Sequence, residues 1–290
     1  MAWLRRLRRE SALAVKRILI FDSGVGGLSV ADAIAAAGLA LTIDYAADND
    51  WLPYGDKSDA ALRARVPALL AALARQRQPD LIVIACNTAS TIALDDARAA
   101  IDLPIVGVVP PIKPAAEISR SGVIGLLATP ATISRAYTDD LIANFAADRH
   151  VVRFGSTALV AAAEAKLADA PVPRQAIASA LAGLFGAPRG GEIDVVALAC
   201  THFPLLREEL EAASPRPCAW LDSGAAIARR VGALLDLPAN AGGAHRDAAL
   251  FTAPALAPRA AFARRGFAAV AAIGRAPEFS VVMETASGPV

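Results

Sequence analysis

The sequence predicts an α/β protein built as two pseudo-symmetric, doubly wound domains with mainly parallel sheets and the active site in the cleft between them. Three observations carry that expectation. Asp80-Leu-Ile-Val-Ile-Ala-Cys86-Asn87-Thr88 and Asp194-Val-Val-Ala-Leu-Ala-Cys200-Thr201-His202 are near-copies with the same offset from Asp to Cys. Each is a continuous apolar run, the pattern of a strand buried on both faces of a parallel sheet. A strand, a small polar turn and a helix precede each copy, so the order occurs twice, as in a duplicated unit. A Cys at the carboxyl end of such a strand stands where open α/β sheets bind ligands.

Composition narrows the class. The chain has 290 residues, 55% apolar and 20% charged, with core enough for one or two globular domains. A formal net charge of +1 gives no general attraction to nucleic acid. Cys86, Cys200 and Cys218 form an odd, sparse set. That argues against a disulfide framework and for a reducing compartment, so a cytoplasmic protein is expected. No apolar run approaches the roughly 18 residues of a membrane span.

Residues 1–17 are basic and partly apolar, with Trp3, Leu4 and Leu7 among arginines. They read as a loosely ordered extension, or as an Arg-rich amphipathic start of the transit-peptide or surface-binding kind. Residues 18–21 read as a buried strand ending in Asp22-Ser23-Gly24-Val25-Gly26-Gly27, with a helix over 30–37. Glycines in such a turn let the backbone approach a ligand, and the helix start offers N–H groups to an anion. Neither the P-loop lysine nor the dinucleotide spacing is present. Asp22, a carboxylate at a buried strand end, must be paired, capping or catalytic.

A strand is expected over 41–46, then a polar loop over 48–58 containing Pro53 and Gly55, then an alanine-rich helix over 59–77 closed by Pro79. After Cys86, residues 87–91 offer candidate N-caps for a helix over 92–100. Cys86 would then lie near a helix N-terminus, which favours thiolate; the alternative is a small buried hydrophobe. Pro110-Pro111 marks the domain boundary. The expected division is 18–110 plus 222–290 for the first domain, with Cys86, and 111–221 for the second, with Cys200. Helix 112–119, strand 123–128, strand 151–154, a helix over 157–168 carrying Glu164, and a helix through Phe185 lead to the second Cys strand. His202, two residues past that thiol, is a plausible proton partner. Asp222-Ser223-Gly224 echoes Asp22-Ser23-Gly24 and opens a helix to Leu235 as an N-cap. From Gly242 the pattern is weak, with a last strand near Phe251-Thr252 and a helix near 258–267.

Two thiols far apart in sequence do not read as a Cys-x-x-Cys exchange pair. With His202 they nominally supply three zinc ligands, so a metal- or ligand-binding protein without proton transfer stays open. Inversion at a carbon acid needs two proton carriers on opposite faces, and facing duplicated halves supply that geometry. Ser23, Asn87, Thr88 and Thr201, with helix N-termini, are suited to hold a carboxylate.

At the level of motifs, the chain resembles the glutamate racemases of the cofactor-independent Asp/Glu racemase family. The matching blocks are Phe-Asp22-Ser23-Gly-Val-Gly-Gly-Leu-Ser, Leu-Pro53-Tyr54-Gly55-Asp-Lys-Ser, Ala-Cys86-Asn87-Thr88-Ala-Ser, Leu-Ala-Thr129-Pro-Ala-Thr132 and Ala-Cys200-Thr201-His202-Phe-Pro-Leu-Leu. The resemblance implies interconversion of L- and D-glutamate with no cofactor and no metal, supplying D-glutamate for peptidoglycan. It implies Cys86 and Cys200 as the acid/base pair, Cys86 acting on the D-isomer and Cys200 on the L-isomer, assisted by Asp22 and His202. Substrate-binding positions would be Asp22, Ser23, Pro53, Tyr54, Gly55, Asn87, Thr88, Thr129, Thr132, Thr201 and His202, with Glu164 another acidic residue near the site. Related aspartate racemases usually carry Glu where His202 stands, so His202 favours glutamate over aspartate or another small acid. The expected partner is the small-molecule substrate glutamate, with no nucleic acid or membrane, in a homodimer.

Overall fold

Two parallel sheets, each covered by helices on both faces, form the molecule. The computed structural model describes residues 15–273. The basic residues 1–14 and the tail 274–290 lie outside the described residues, and so do most of the readings made for them.

The first half runs β1 (Lys16–Asp22), α1 (Leu28–Ala36), β2 (Leu41–Ala47), α2 (Asp59–Arg77), β3 (Leu81–Ile84), α3 (Asn87–Ala100) and β4 (Ile105–Gly107). The chain then passes through α4 (Ile112–Ile118), β5 (Val123–Ala128), α5 (Pro130–Ile133), α6 (Ala136–Phe145), β6 (His150–Gly155), α7 (Ala158–Leu167), α8 (Arg174–Phe185), β7 (Val195–Leu198), α9 (Arg207–Ala213) and β8 (Ala219–Leu221). It returns through α10 (Gly224–Leu235), β9 (His245–Phe251), α11 (Arg259–Arg264) and β10 (Ala269–Ala272). Strand order is β10-β9-β2-β1-β3-β4 in one sheet and β6-β5-β7-β8 in the other, so the second repeats the β2-β1-β3-β4 portion of the first. Among the described residues all the strand pairings are parallel.

The apolar runs are continuous because both faces are covered. Ile18 and Ile20 pack with α1 and α10, while Leu19 and Phe21 pack with α2 and α3. In the second sheet Val196 and Leu198 face α7 and α8, whereas Val195 and Ala197 face α4.

Several boundaries differ from the sequence expectation. β1 begins at Lys16, inside the span read as an extension. Its two basic residues are strand residues with paired charges: Lys16 Nζ to Asp80 Oδ1 at 2.9 Å, and Arg17 Nη1 to Asp44 and Asp247 at 2.8 Å each. α3 begins at Asn87, because Cys86 itself is the N-cap; Ser90, expected as a cap, instead donates to Ile84 O and accepts from Val108 N. β8 is three residues long, too short to leave a period in the sequence. β9 reaches back to His245, whose polar start hides it, and β10, an alanine-rich edge strand, was not expected at all.

The aspartates that open the two Cys strands have matching tasks. Asp80 Oδ2 accepts from Arg17 N at 2.8 Å, fastening the start of β1. Asp194 accepts from Ser119 Oγ (2.7 Å), Arg120 N (2.7 Å) and Ser121 N (3.0 Å), fastening the approach to β5. Burial alone would raise the Asp194 carboxyl, but these bonds outweigh it and hold it at about 2, below its ordinary 3.8. A depressed carboxylate contributes stability above its unfolded value and loses it as pH falls through the folded one. Asp194→Ala is therefore expected to cost about 1–2 kcal/mol at neutral pH, discounted for its partial exposure. In equilibrium denaturation the gap to the parent protein should close between pH 4 and pH 2.

Candidate active site between the two sheets

Strand carboxyl ends of both sheets open onto one cavity. From the first half come Ser23 after β1, Pro53, Tyr54 and Gly55 from the loop after β2, and Cys86, Asn87 and Thr88 after β3. From the second come Thr129 and Thr132 around the start of α5, and Cys200, Thr201 and His202 after β7. Cys86 and Cys200 are both buried, 6% and 7% exposed, and both line this cavity.

Asp22 and Glu164 do not line the cavity; they lie one layer behind it. Asp22 is fully buried, accepting from Gly24 N (2.8 Å), Thr201 Oγ1 (3.0 Å) and, at 3.4 Å, Ser23 Oγ. The Ser23 hydroxyl in turn stands 3.6 Å from Cys86 Sγ. Glu164 Oε1 accepts from Val25 N (3.1 Å) and lies 2.7 Å from His202 Nε2, while His202 Nδ1 faces Cys200 Sγ at 3.9 Å. Each thiol thus has a short chain behind it, Ser23 then Asp22 for Cys86, His202 then Glu164 for Cys200.

The glycine turn works differently from its sequence reading. A Cβ on Gly26 would sit 2.4 Å from His202 Nδ1 and 2.7 Å from Thr201 Oγ1, and one on Gly24 would sit 2.5 Å from Glu164 Oε1. The bare backbone admits side chains of the second half. Two of the turn's N–H groups are taken within the protein, that of Gly24 by Asp22 and that of Val25 by Glu164.

Burial decides the electrostatics. Cys86 is pushed up to about 12, first by desolvation and then by the Asp22 carboxylate. Hydrogen bonds from Ala89 N and Ser23 pull the other way and lose. The expectation that the α3 N-terminus would lower this thiol toward neutrality is therefore overturned. Asp22 is itself raised by burial, against the opposing pull of His202, Gly24 and Thr201. For His202, burial acts downward, but its bonds to Cys200 and Glu164 and the nearby negative charge carry it well above 6.5. Asn87 Oδ1 is buried with no hydrogen-bond partner. Among the described residues no group of three or more His, Cys, Asp or Glu side chains is placed to hold a metal ion, and no helix is long and apolar enough to cross a membrane.

Leu52, Val160 and Ala199 also line the cavity and were not anticipated. Each had a positional signal: Leu52 precedes Pro53, Ala199 precedes Cys200, and Val160 is one helical turn from Glu164. Asp48, at the carboxyl end of β2, was read only as part of a polar loop, although the reasoning applied to Asp22 applies to it equally.

The sequence matches the Asp/Glu/Hydantoin racemase family over residues 29–231. The chain belongs to that racemase family. It is similar to a glutamate racemase of Sphingopyxis alaskensis, 57% identical over 219 residues, covering 76% of this chain and 82% of that one. It is also similar to one of Vibrio cholerae, 46% identical over 244 residues, covering 84% and 90%. Its fold resembles the crystal structure of Escherichia coli glutamate racemase in complex with L-glutamate and the activator UDP-MurNAc-Ala. That likeness has a TM-score of 0.80 at 41% identity over 89% of this chain and 98% of that one.

In this racemase the His202 ring is expected to titrate above its ordinary 6.5, and Glu164→Gln should bring its midpoint down. NMR titration of the ring C–H resonances, separated from those of His150 and His245, checks this. Because the folded value is raised, the stabilisation from this pair is complete below the unfolded value and is lost as pH rises through the folded one.

Proposed function

We propose that this amino-acid racemase interconverts L- and D-glutamate without a cofactor, one of Cys86 and Cys200 removing the α-proton while the other delivers a proton to the opposite face. The observation that carries the reading is the pair of thiols at pseudo-equivalent strand ends around a single cavity. Relatives that share about half of its sequence and are named glutamate racemases support glutamate as the substrate.

With L-glutamate bound, the Cys200 thiolate removes the α-proton and the Cys86 thiol delivers one to the opposite face; with D-glutamate the roles exchange. The high value of Cys86 keeps it a thiol before substrate arrives, which is the form a proton donor needs. In the other direction the substrate's α-ammonium, drawn close to that thiol, lowers the cost of ionising it. His202, charged and backed by Glu164, stabilises the Cys200 thiolate. Ser23 and Asp22 give the Cys86 side its own hydrogen-bonded chain. Asp22 and Glu164, behind the wall, act as positioning groups. The unpaired Asn87 Oδ1 suits the α-ammonium. The Thr88 hydroxyl, the free O–H of the Thr129–Thr132 pair and the backbone at Tyr54-Gly55 suit the two carboxylates, the Thr201 hydroxyl being donated to Asp22. The product D-glutamate would be supplied in the cytoplasm for peptidoglycan.

Incubating L-glutamate with the protein in heavy water tests the reading. D-glutamate carrying deuterium at Cα is expected, and the absence of both isomer and label would overturn it. Aspartate, run in parallel, is expected to react far more slowly. Cys86→Ser and Cys200→Ser should each reduce turnover by about 10²–10⁴-fold. Near-normal turnover in either would overturn the division of labour between the thiols.

A further inference from the structure

Behind the Pro53-Tyr54-Gly55 wall lies a buried charge pair that the proton-transfer chemistry does not use. Arg65, on the second turn of α2, is 2% exposed, and Asp48 is fully buried. The guanidinium grips the carboxylate with two bonds, Nε to Oδ2 at 2.6 Å and Nη2 to Oδ1 at 2.7 Å. The same Asp48 Oδ2 accepts from the Tyr54 hydroxyl at 2.6 Å. Arg65 also stacks over the Trp51 ring at 4.2 Å, and its Nη1 is buried without a partner.

Such a pair is poor value as a stabiliser. Well-packed apolar residues commonly replace a buried ion pair at no loss, and a buried unpaired N–H adds a further cost. What the pair does secure is the loop. The start of the loop is fastened to the end of β9, through Asn49 to Ala253 O and Asp50 N to Thr252 Oγ1. Residues 52–57 have little of their own: the backbone bonds there, Asp56 N to Pro53 O and Lys57 N to Tyr54 O, are long at 3.4 and 3.2 Å. Tyr54 is their buried anchor. Burial and then the Asp48 carboxylate raise its phenol well above 10, so it remains an O–H donor. Asp48 is held at its backbone too, donating its N–H to Asp22 O at 2.9 Å.

We infer that Arg65 is a positioning residue for substrate binding: through Asp48 it holds the Tyr54 hydroxyl, and so sets the Pro53-Tyr54-Gly55 wall of the cavity. The kinetic part of its test rests on the glutamate-racemase reading, whereas the exchange part does not. Arg65→Lys keeps the charge but loses the planar two-pronged grip and the stack on Trp51. Tyr54→Phe leaves the ion pair intact and removes only the anchor.

Each variant is expected to raise KM for both glutamate enantiomers about tenfold, with kcat changing much less, because a contact that serves ground and transition states alike was lost. The double variant should be no worse than the poorer single one, since Arg65 acts through Tyr54. In the protein without substrate, amide hydrogen exchange over residues 52–57 should quicken in both single variants. An unchanged KM in Arg65→Lys, a fall in kcat at constant KM, or effects that multiply in the double variant would overturn the inference. Should Arg65→Lys fail to fold, Tyr54→Phe decides alone: unchanged KM and unchanged exchange over 52–57 overturn it. If the parent protein did not racemise glutamate, the previous reading would fall, and the exchange comparison would still settle this one.

Discussion

The second half of the molecule presses its side chains onto a stretch of bare backbone in the first, and the rest of the site follows from that contact. Thr201 donates to Asp22, Glu164 accepts from Val25 N, and Ser29 Oγ donates to Thr201 O at 2.9 Å. All meet at the turn between β1 and α1, where Gly24 and Gly26 leave no Cβ to hold the halves apart. Tyr45, fully buried beneath, donates to Gly24 O at 2.8 Å and keeps the turn in place. The closure of the two halves around the cavity and the burial of Asp22 and His202 depend on this one close approach. Buried polar groups of this kind are costly unless paired, and here each half supplies partners that the other lacks.

The backbone is closer to two-fold symmetric than the chemistry mounted on it. Strand order repeats, and the Asp at the start of each Cys strand repeats its fastening task. Behind the thiols the symmetry stops. Cys86 meets a hydroxyl and an acid; Cys200 meets an imidazole and a different acid. The first arrangement keeps a thiol protonated, while the second places a positive charge beside its sulfur. Glu164 and Asp22 serve opposite thiols yet are bound into the same turn, so the two chains of groups are mechanically joined.

How far the sequence foretold this depends on which residue is asked. Cys86, Cys200, Ser23, Asn87, Thr88, Thr201 and His202 were legible because each follows directly on an apolar strand, and a strand's carboxyl end fixes where the next residues stand. Asp22 was read as a substrate-binding position and Glu164 as an acid near the site; both stand behind the cavity lining, because local pattern does not say toward which neighbour a side chain turns. Their partners, Thr201 and His202 among them, come from other parts of the chain. The raised thiol of Cys86 was hidden for a related reason. A helix N-terminus is visible in the sequence, whereas the depth of burial and the Asp22 carboxylate beside it are products of the fold. β10 and the start of β9 escaped notice because alanine-rich or charged strand segments carry no period of apolar residues.

The unequal equipment of the two thiols is compatible with balanced racemisation. Mirror-image amino acids have equal free energy in water, so a racemase must reach equal amounts of each whatever its site looks like. Detailed balance then fixes kcat/KM to the same value in both directions. It places no such demand on kcat or KM separately, so a site with imidazolium on one side and a buried acid on the other is free to hold one enantiomer more tightly, provided it turns that enantiomer over more slowly in proportion. A positioning element such as the Asp48–Arg65 pair, which acts on the cavity wall and on neither sulfur, shifts both directions together. The asymmetric groups behind the thiols are what can divide the common barrier differently between binding and turnover.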